Sequence, residues 1–121
     1  SLDRPKLASA LARAMTESGR NPRLFVQVNT GDEPQKAGVP VADVADFVSD
    51  CRTQHGLSIE GLMCLPPVGD AVGPHFALLG KLAASLDLAC LSMGMSADYP
   101  AAVSLGATHI RLGTAIFGPR G

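Results

Sequence analysis

Several residue types and patterns are scarce in this 121-residue chain, and each scarcity excludes a class of protein. There is no tryptophan and only one tyrosine, and the net charge is −1. A chain so close to neutrality has no basic field to attract nucleic acid or acidic lipid. It also contains no run of about eighteen apolar residues and no recognisable signal peptide. We therefore expect a cytoplasmic protein that binds neither nucleic acid nor membrane.

Residues that could ligate a metal are few and badly spaced. The three cysteines, Cys51, Cys64 and Cys90, are odd in number and form no C-x-x-C pair. The three histidines show no ligand spacing and are expected at the surface or in hydrogen bonds. This pattern excludes a disulfide framework and predicts no metal site. Buried, reduced thiols of a cytosolic protein fit it better.

What the chain does contain is a regular alternation of helix and strand patterns. Asp3 is a plausible helix N-cap, Pro5 lies in the first turn, and Gly19 ends the helix. The first strand pattern, mostly apolar, is typical of a strand buried on both faces. The four predicted strands are residues 23–29, 59–65, 88–93 and 108–112.

Strands separated by helices in this way are parallel, with right-handed crossovers. Two architectures satisfy the pattern. One is a small open parallel α/β sheet. The other is half of a (β/α)8 barrel, since a whole barrel needs about 250 residues. A half barrel would leave two sheet edges unpaired, which favours aggregation.

Two turns near the end of the chain point to a ligand. Residues 91–98 and 109–118 each form an apolar strand that runs into a turn containing glycine and serine or threonine. Backbone N–H groups and hydroxyls at the carboxyl ends of adjacent parallel strands make a natural anion site. We therefore expect a phosphate between these turns. The position of Arg111 along the second strand predicts an aromatic or acidic group attached to that phosphate.

Several motifs in order along the chain resemble the pyridoxal phosphate homeostasis protein family (YggS-like). They are Val28-Asn29, Lys36-Ala37-Gly38, Gly61-Leu62-Met63, Leu91 to Asp98, and Ile110 to Gly118. That family has a single barrel similar to the cofactor domain of alanine racemase.

The resemblance implies that residues 1–121 are the C-terminal half, strands five to eight, of one barrel domain that binds pyridoxal 5′-phosphate (PLP). The Schiff-base lysine of the family would then lie upstream of Ser1, in the N-terminal half of the barrel, which is absent here. Neither Lys36, in a loop, nor Lys81, on a predicted helix surface, is expected to replace it.

The resemblance also assigns the phosphate site. The Ser96 hydroxyl, the backbone of Gly113, and the backbone and hydroxyl of Thr114 would hold the phosphate. Each residue has a purely structural alternative. Ser96 could be a helix N-cap, and Gly113 could be required for a positive φ at the strand exit.

By the same resemblance, Arg111 would face the pyridine nitrogen of the cofactor. A guanidinium has only donors, so it disfavours protonation of that nitrogen and weakens the ring as an electron sink. The alternative is a structural ion pair with an acid from the absent half. Asn29 and Met63 come at strand ends and are further candidate cofactor contacts, although a methionine in this position is often plain core.

The function implied is storage, buffering or delivery of PLP without catalysis, with enzymes that use the cofactor as candidate partners. A rival hypothesis is an amino-acid racemase of the alanine racemase type. Such racemases carry a second, β-rich domain with a catalytic tyrosine, whereas this chain has only Tyr99, at a predicted helix start. A third hypothesis is a complete open α/β domain that binds another phosphate ligand.

Overall fold

Four parallel strands form the sheet, in the order β2-β1-β3-β4. The computed structural model describes residues 1–34 and 36–117, without the side chains of Thr114 and Ala115. The strands are β1 (Leu24–Asn29), β2 (Val39–Pro40), β3 (Ile59–Cys64) and β4 (Cys90–Ser92). The two long strands are rich in apolar side chains that suit a pleated, buried surface. They pair in the middle of the sheet, where Val26 lies opposite Leu62.

Helices follow the strands in the expected alternation. The first begins with a proline, which needs no intrahelical N–H partner. It ends at Gly19, whose φ of 70° is left-handed and whose N–H donates to the carbonyl of Met15 at 2.9 Å. A 3-10 turn, Val41–Asp43, precedes the second helix. The helices are α1 (Pro5–Ser18), α2 (Val44–Thr53), α3 (Val72–Ser85), α4 (Tyr99–Ser104) and α5 (Thr114–Phe117).

Two single residues add to the sheet. Leu2 pairs with the inner strand β1: its N–H donates to the Phe25 carbonyl at 2.8 Å and its carbonyl accepts from the Gln27 N–H at 2.7 Å. His109 pairs with Ser92 of the edge strand β4. Only at the β4 edge, therefore, does a paired residue lie beyond an edge strand among the described residues.

The two faces of the sheet differ in burial. Alternate side chains of β1 are buried and half-buried, as expected when one face packs against helices. The buried face contributes Val26, Val28, Leu62 and Cys64 to a single core. From the helices, this core receives Ala8, Val44, Val48, Cys51, Phe76, Leu79, Ala83 and Ala102.

On the opposite face lie half-buried side chains that the register places side by side, among them Gln27, Met63 and Ser92. Phe25 on this face meets the His109 ring edge-on, with centroids 5.1 Å apart. The prediction that the first strand is buried on both faces is therefore correct for one face only. The described residues supply no helix for the second face.

Two local predictions were wrong in detail, and one short strand was not predicted. Asp3 does not cap α1: the residue before the helix is Arg4, and the Asp3 carboxylate accepts from the N–H of Gly38 at 3.2 Å. The predicted strand at residues 108–112 pairs only at His109, although the Arg111 N–H donates to the Gly94 carbonyl at 2.9 Å. The short strand β2 carries too few residues to show a periodic pattern.

Within the described residues, no helix combines the length and apolarity needed to cross a bilayer.

Candidate functional site

An open cleft of about 870 Å³ lies where β3 and β4 end. Its walls are the loop that leaves β3, residues 66–70, and the turn that leaves β4, residues 95–98, together with Val72, Gly113 and Phe117. Ligand sites of parallel α/β proteins lie at the carboxyl ends of the strands because the loops there converge. The cleft therefore lies at the end of the sheet where the sequence predicted a site.

The turn after β4 is held rigidly. Gly94 has a φ of +101°, and a Cβ there would lie 2.6 Å from the Cβ of Ala102, so only glycine fits. The Asp98 carboxylate accepts from the Met95 N–H at 2.7 Å and closes the turn. Ser96 lies inside this turn, is half-buried and lines the cleft. The residue that precedes α4 is Asp98, so the N-cap alternative for Ser96 is wrong.

Gly113 lines the same cleft and opens the first turn of α5. Its carbonyl accepts from the N–H groups of Ile116 at 3.1 Å and Phe117 at 2.8 Å. The N–H groups of a first helical turn have no acceptor inside the helix and are available to a ligand. The φ of Gly113 is not left-handed, so the positive-φ alternative is wrong. A Cβ there would meet no described atom within 4 Å, so the position is open space at the cleft.

Two parts of the second predicted turn, residues 109–118, lie outside the described residues. The Thr114 side chain, and with it the predicted second hydroxyl, is one of them. The end of the second motif, Gly118, is the other.

Arg111 is anchored close to the cleft but does not line it. Its guanidinium Nη2 donates to the Cys64 carbonyl at 3.0 Å, and Asp98, a lining residue, is close enough to raise its pKa. Burial has the larger effect and lowers the pKa of Arg111. Among the described residues the guanidinium forms no ion pair. The alternative, an ion pair with an acid from the absent half, stays a prediction.

The Nε of Arg111 is buried and has no hydrogen-bond partner among the described residues. A buried donor left unpaired costs about 1–3 kcal/mol. Native proteins contain few such groups, and each needs a reason. An acceptor atom of a ligand would satisfy this donor.

Asn29 and Met63 lie elsewhere. Asn29 closes the loop after β1, because its Nδ2 donates to the Glu33 carbonyl at 2.7 Å and its Oδ1 accepts from the Glu33 N–H at 3.3 Å. Met63 lies on the half-buried sheet face. The described residues that line the cleft include neither of them, nor Lys36 or Lys81, both of which are exposed.

The sequence did not reveal one polar cluster beside the cleft. His75 of α3 is hydrogen-bonded through Nδ1 to Thr30 Oγ1 at 2.9 Å and through Nε2 to Asp70 Oδ2 at 3.1 Å. Next to it, burial raises the pKa of the Cys64 thiol to about 11, while Arg111 and the Thr30 hydroxyl lower it by less. A hydrogen-bonded role was predicted for His75, but nothing in the sequence indicates a partner 45 residues away.

The model of the family described as "Alanine racemase, N-terminal domain" matches residues 1–121. A Deinococcus radiodurans protein named pyridoxal phosphate homeostasis protein is 40% identical over 119 residues, which are 97% of this chain and 56% of that protein. A Pseudomonas aeruginosa protein of the same name is 36% identical over 125 residues, or 99% of this chain and 54% of that protein. The chain thus spans about half the length of these curated relatives.

Among solved structures, PipY of Synechococcus elongatus with PLP bound is 38% identical and superposes with a TM-score of 0.86. The superposition covers 98% of this chain and 59% of PipY. The predicted fold is confirmed, since the parallel α/β sheet is part of a (β/α)8-type barrel. That the chain is the C-terminal half of a single barrel domain stays a prediction. The sequence, the sheet and the match over its whole length agree that this chain belongs to the family of the alanine racemase N-terminal domain.

Proposed function

We propose that this chain is part of a protein that binds PLP and that stores, buffers or delivers the cofactor without turning over a substrate. The buried, unpaired Nε–H of Arg111, beside the cleft that Ser96 and Gly113 line, carries this proposal. A phosphorylated ring with an acceptor nitrogen satisfies both features at once. The curated relatives that bear the homeostasis name, and the PLP in PipY, support the same ligand.

The chain's own residues have defined tasks in this proposal. Ser96 and the main chain at Gly113 and Thr114 hold the phosphate, and Arg111 donates to the ring nitrogen. When bound, PLP supplies an aldehyde that condenses with amines and a ring that withdraws electrons. Because the guanidinium offers only donors, it disfavours a proton on the ring nitrogen and keeps that withdrawal weak. Arg111 therefore favours retention of the cofactor over substrate turnover.

The proposal also covers the lysine that bonds to the cofactor, the partner enzymes, two further candidate contacts and the cellular location. The lysine that bonds to the cofactor belongs to a segment upstream of Ser1, and enzymes that need PLP are the partners for delivery. Asn29 and Met63 remain candidate contacts, although the Asn29 amide is already used by Glu33. The free cysteines fit the expected cytoplasmic location.

The test is PLP binding by the intact protein, followed by absorption spectroscopy and equilibrium dialysis. We expect a bound chromophore whose absorption band borohydride removes. The double variant Ser96→Ala/Arg111→Ala should weaken affinity by at least about 100-fold, because each of the two charge-assisted hydrogen bonds is worth about 1.5–3 kcal/mol. The matched control is Ser49→Ala/Arg52→Ala, two exposed positions of α2 that should leave affinity unchanged.

Two results would count against the proposal in different ways. Unchanged affinity in the Ser96/Arg111 double variant would show that the site is misplaced. A wild-type protein that shows no bound chromophore after PLP is added would reject the cofactor itself.

The family match favours one second candidate, an amino-acid racemase. It predicts that the intact protein, loaded with PLP, exchanges the Cα proton of alanine with solvent deuterium. Absence of exchange under conditions where PLP stays bound would support the non-catalytic function.

A further inference from the structure

His75 connects two loops that are far apart in the sequence. Its partner Thr30 directly follows β1, and its other partner, Asp70, belongs to the loop that leaves β3. The His75 side chain is only 12% exposed, whereas that of Asp70 is 54% exposed. The imidazole therefore joins a half-buried hydroxyl on one loop to a carboxylate on the rim of the cleft.

The hydrogen bonds have one consistent direction when the imidazole is neutral. An ionised carboxylate can only accept, so the proton lies on Nε2 and is donated to Asp70. Nδ1 then has a free lone pair and accepts from the Thr30 hydroxyl. Both ring nitrogens are thereby satisfied, and the ring orientation is fixed by two loops at once.

The same two loops touch directly. A Cβ on Gly31, the residue after Thr30, would lie 2.7 Å from the Cγ of Pro67, so the main chain of one loop packs against a ring of the other. Pro67 and Asp70 both line the cleft. The loop that leaves β1 thus packs against this wall of the cleft.

His75 itself is not among the residues that line the cleft. It acts on the cleft through the two loops that it joins.

We propose that His75 is a positioning residue of the ligand site: it holds the wall formed by Pro67 and Asp70 against the loop that leaves β1. This inference rests on the proposed function and adds to it a residue that acts from outside the cleft. It predicts that loss of His75 speeds the release of PLP.

The experiment compares His75→Ala with Leu79→Ala in the intact protein. Leu79 lies one turn further along α3 and is fully buried, so its truncation destabilises the fold and removes neither hydrogen bond of His75. We expect PLP to bind about tenfold more weakly to His75→Ala, mainly through faster dissociation, because two hydrogen bonds are lost. Leu79→Ala, at a temperature where it is folded, should keep the wild-type dissociation rate.

Two variants of Asp70 test the hydrogen bond between this residue and His75. Asp70→Asn keeps an acceptor for Nε2–H and should therefore release PLP more slowly than Asp70→Ala. Equal dissociation rates for His75→Ala and wild type would overturn the proposal. An equal loss in Leu79→Ala would overturn it as well, because general destabilisation would then explain the effect.

Hydrogen exchange in the ligand-free protein tests the geometry without PLP. His75→Ala should speed amide exchange in residues 68–71, and Leu79→Ala should not do so selectively. If wild type fails to bind PLP but this loop loosens, the proposed function fails while His75 keeps its positioning role. If the loop exchanges as in wild type, His75 does not position it, whatever the ligand.

Discussion

At the scale of single residues, burial decides how the charged and titratable groups near the cleft behave. Arg111 is held by one carbonyl, and its Nε has no partner among the described residues, a state that a ligand acceptor would relieve. The Cys64 thiol, in contrast to Arg111, is uncharged. Burial removes the thiol from water and thereby disfavours its charged form. The effect of burial on each of these two residues can be measured.

The raised pKa of Cys64 predicts that the free energy of unfolding falls at alkaline pH. Its pKa rises from 9.0 to about 11 in the folded protein, so the native thiol keeps its proton after the unfolded thiol has lost it. The resulting stabilisation is complete below about pH 9 and disappears as the pH rises through about 11, about 3 kcal/mol in all. Urea unfolding at pH 8 and pH 10.5 should show this decline, and Cys64→Ala should reduce it. A decline of the same size in Cys64→Ala would assign it to other groups.

A substitution at Gly113 is predicted to weaken PLP binding without changing the stability of the fold. An added Cβ meets no described atom, so Gly113→Ala should leave the melting temperature unchanged. The methyl group would nevertheless occupy space at the cleft, so affinity for PLP should fall. Gly73→Ala is the matched control, since a Cβ there also meets nothing within 4 Å and the residue does not line the cleft. Equal PLP affinity in both variants would remove Gly113 from the site.

At the scale of elements, the close approach of β3 and β4 depends on one glycine. A Cβ on Gly61 would lie 2.1 Å from the carbonyl oxygen of Cys90, which is backbone and cannot move aside without separating the strands. The cleft is built from the loops that leave these same two strands. Their spacing therefore sets the distance between the walls.

Gly61→Ala should therefore destabilise the protein by at least about 2 kcal/mol, since overpacking forces the backbone to shift. Gly80→Ala in α3 is the matched control, because its Cβ would meet Leu91 at an ordinary 3.8 Å. That variant should be neutral or stabilising by up to about 1 kcal/mol, as alanine favours a helix over glycine. Chemical denaturation measures both. Equal effects at the two sites would contradict the assigned role of Gly61.

At the scale of the whole molecule, one sheet face is covered by helices and the other is half-exposed. The edges of the sheet, β2 on one side and the main chain at His109 on the other, are short and irregular, and edges of this kind can pair with further strands. Both features agree with the match to about half of longer relatives. They are what we expect of part of a barrel.

The isolated 121-residue chain is therefore predicted to self-associate, and coexpression with the remaining half of a relative's barrel should suppress this. Light scattering coupled to size-exclusion chromatography measures the effect. A monodisperse monomer with a sharp, cooperative melt would instead support the hypothesis of a complete open α/β domain.

Local signals explain what could be predicted. Pro5 and Gly19 bound α1, and the apolar runs of β1 and β3 mark the strands. The turns after residues 92 and 112 carry the glycines and hydroxyls of the predicted anion site. Ser96 and Gly113 were predicted as partners and line one cleft. Their roles in binding PLP stay a prediction.

By itself, the sequence determined the parallel α/β class, the order of the elements and the turns of the candidate site, because propensity and periodicity act over a few residues. Only the tertiary structure decided which distant groups meet. Asp3 bonds to Gly38 instead of capping its helix, Asn29 turns to Glu33, and His75 joins Thr30 to Asp70. Such contacts depend on sheet register and loop packing, which bring together residues that no local pattern relates.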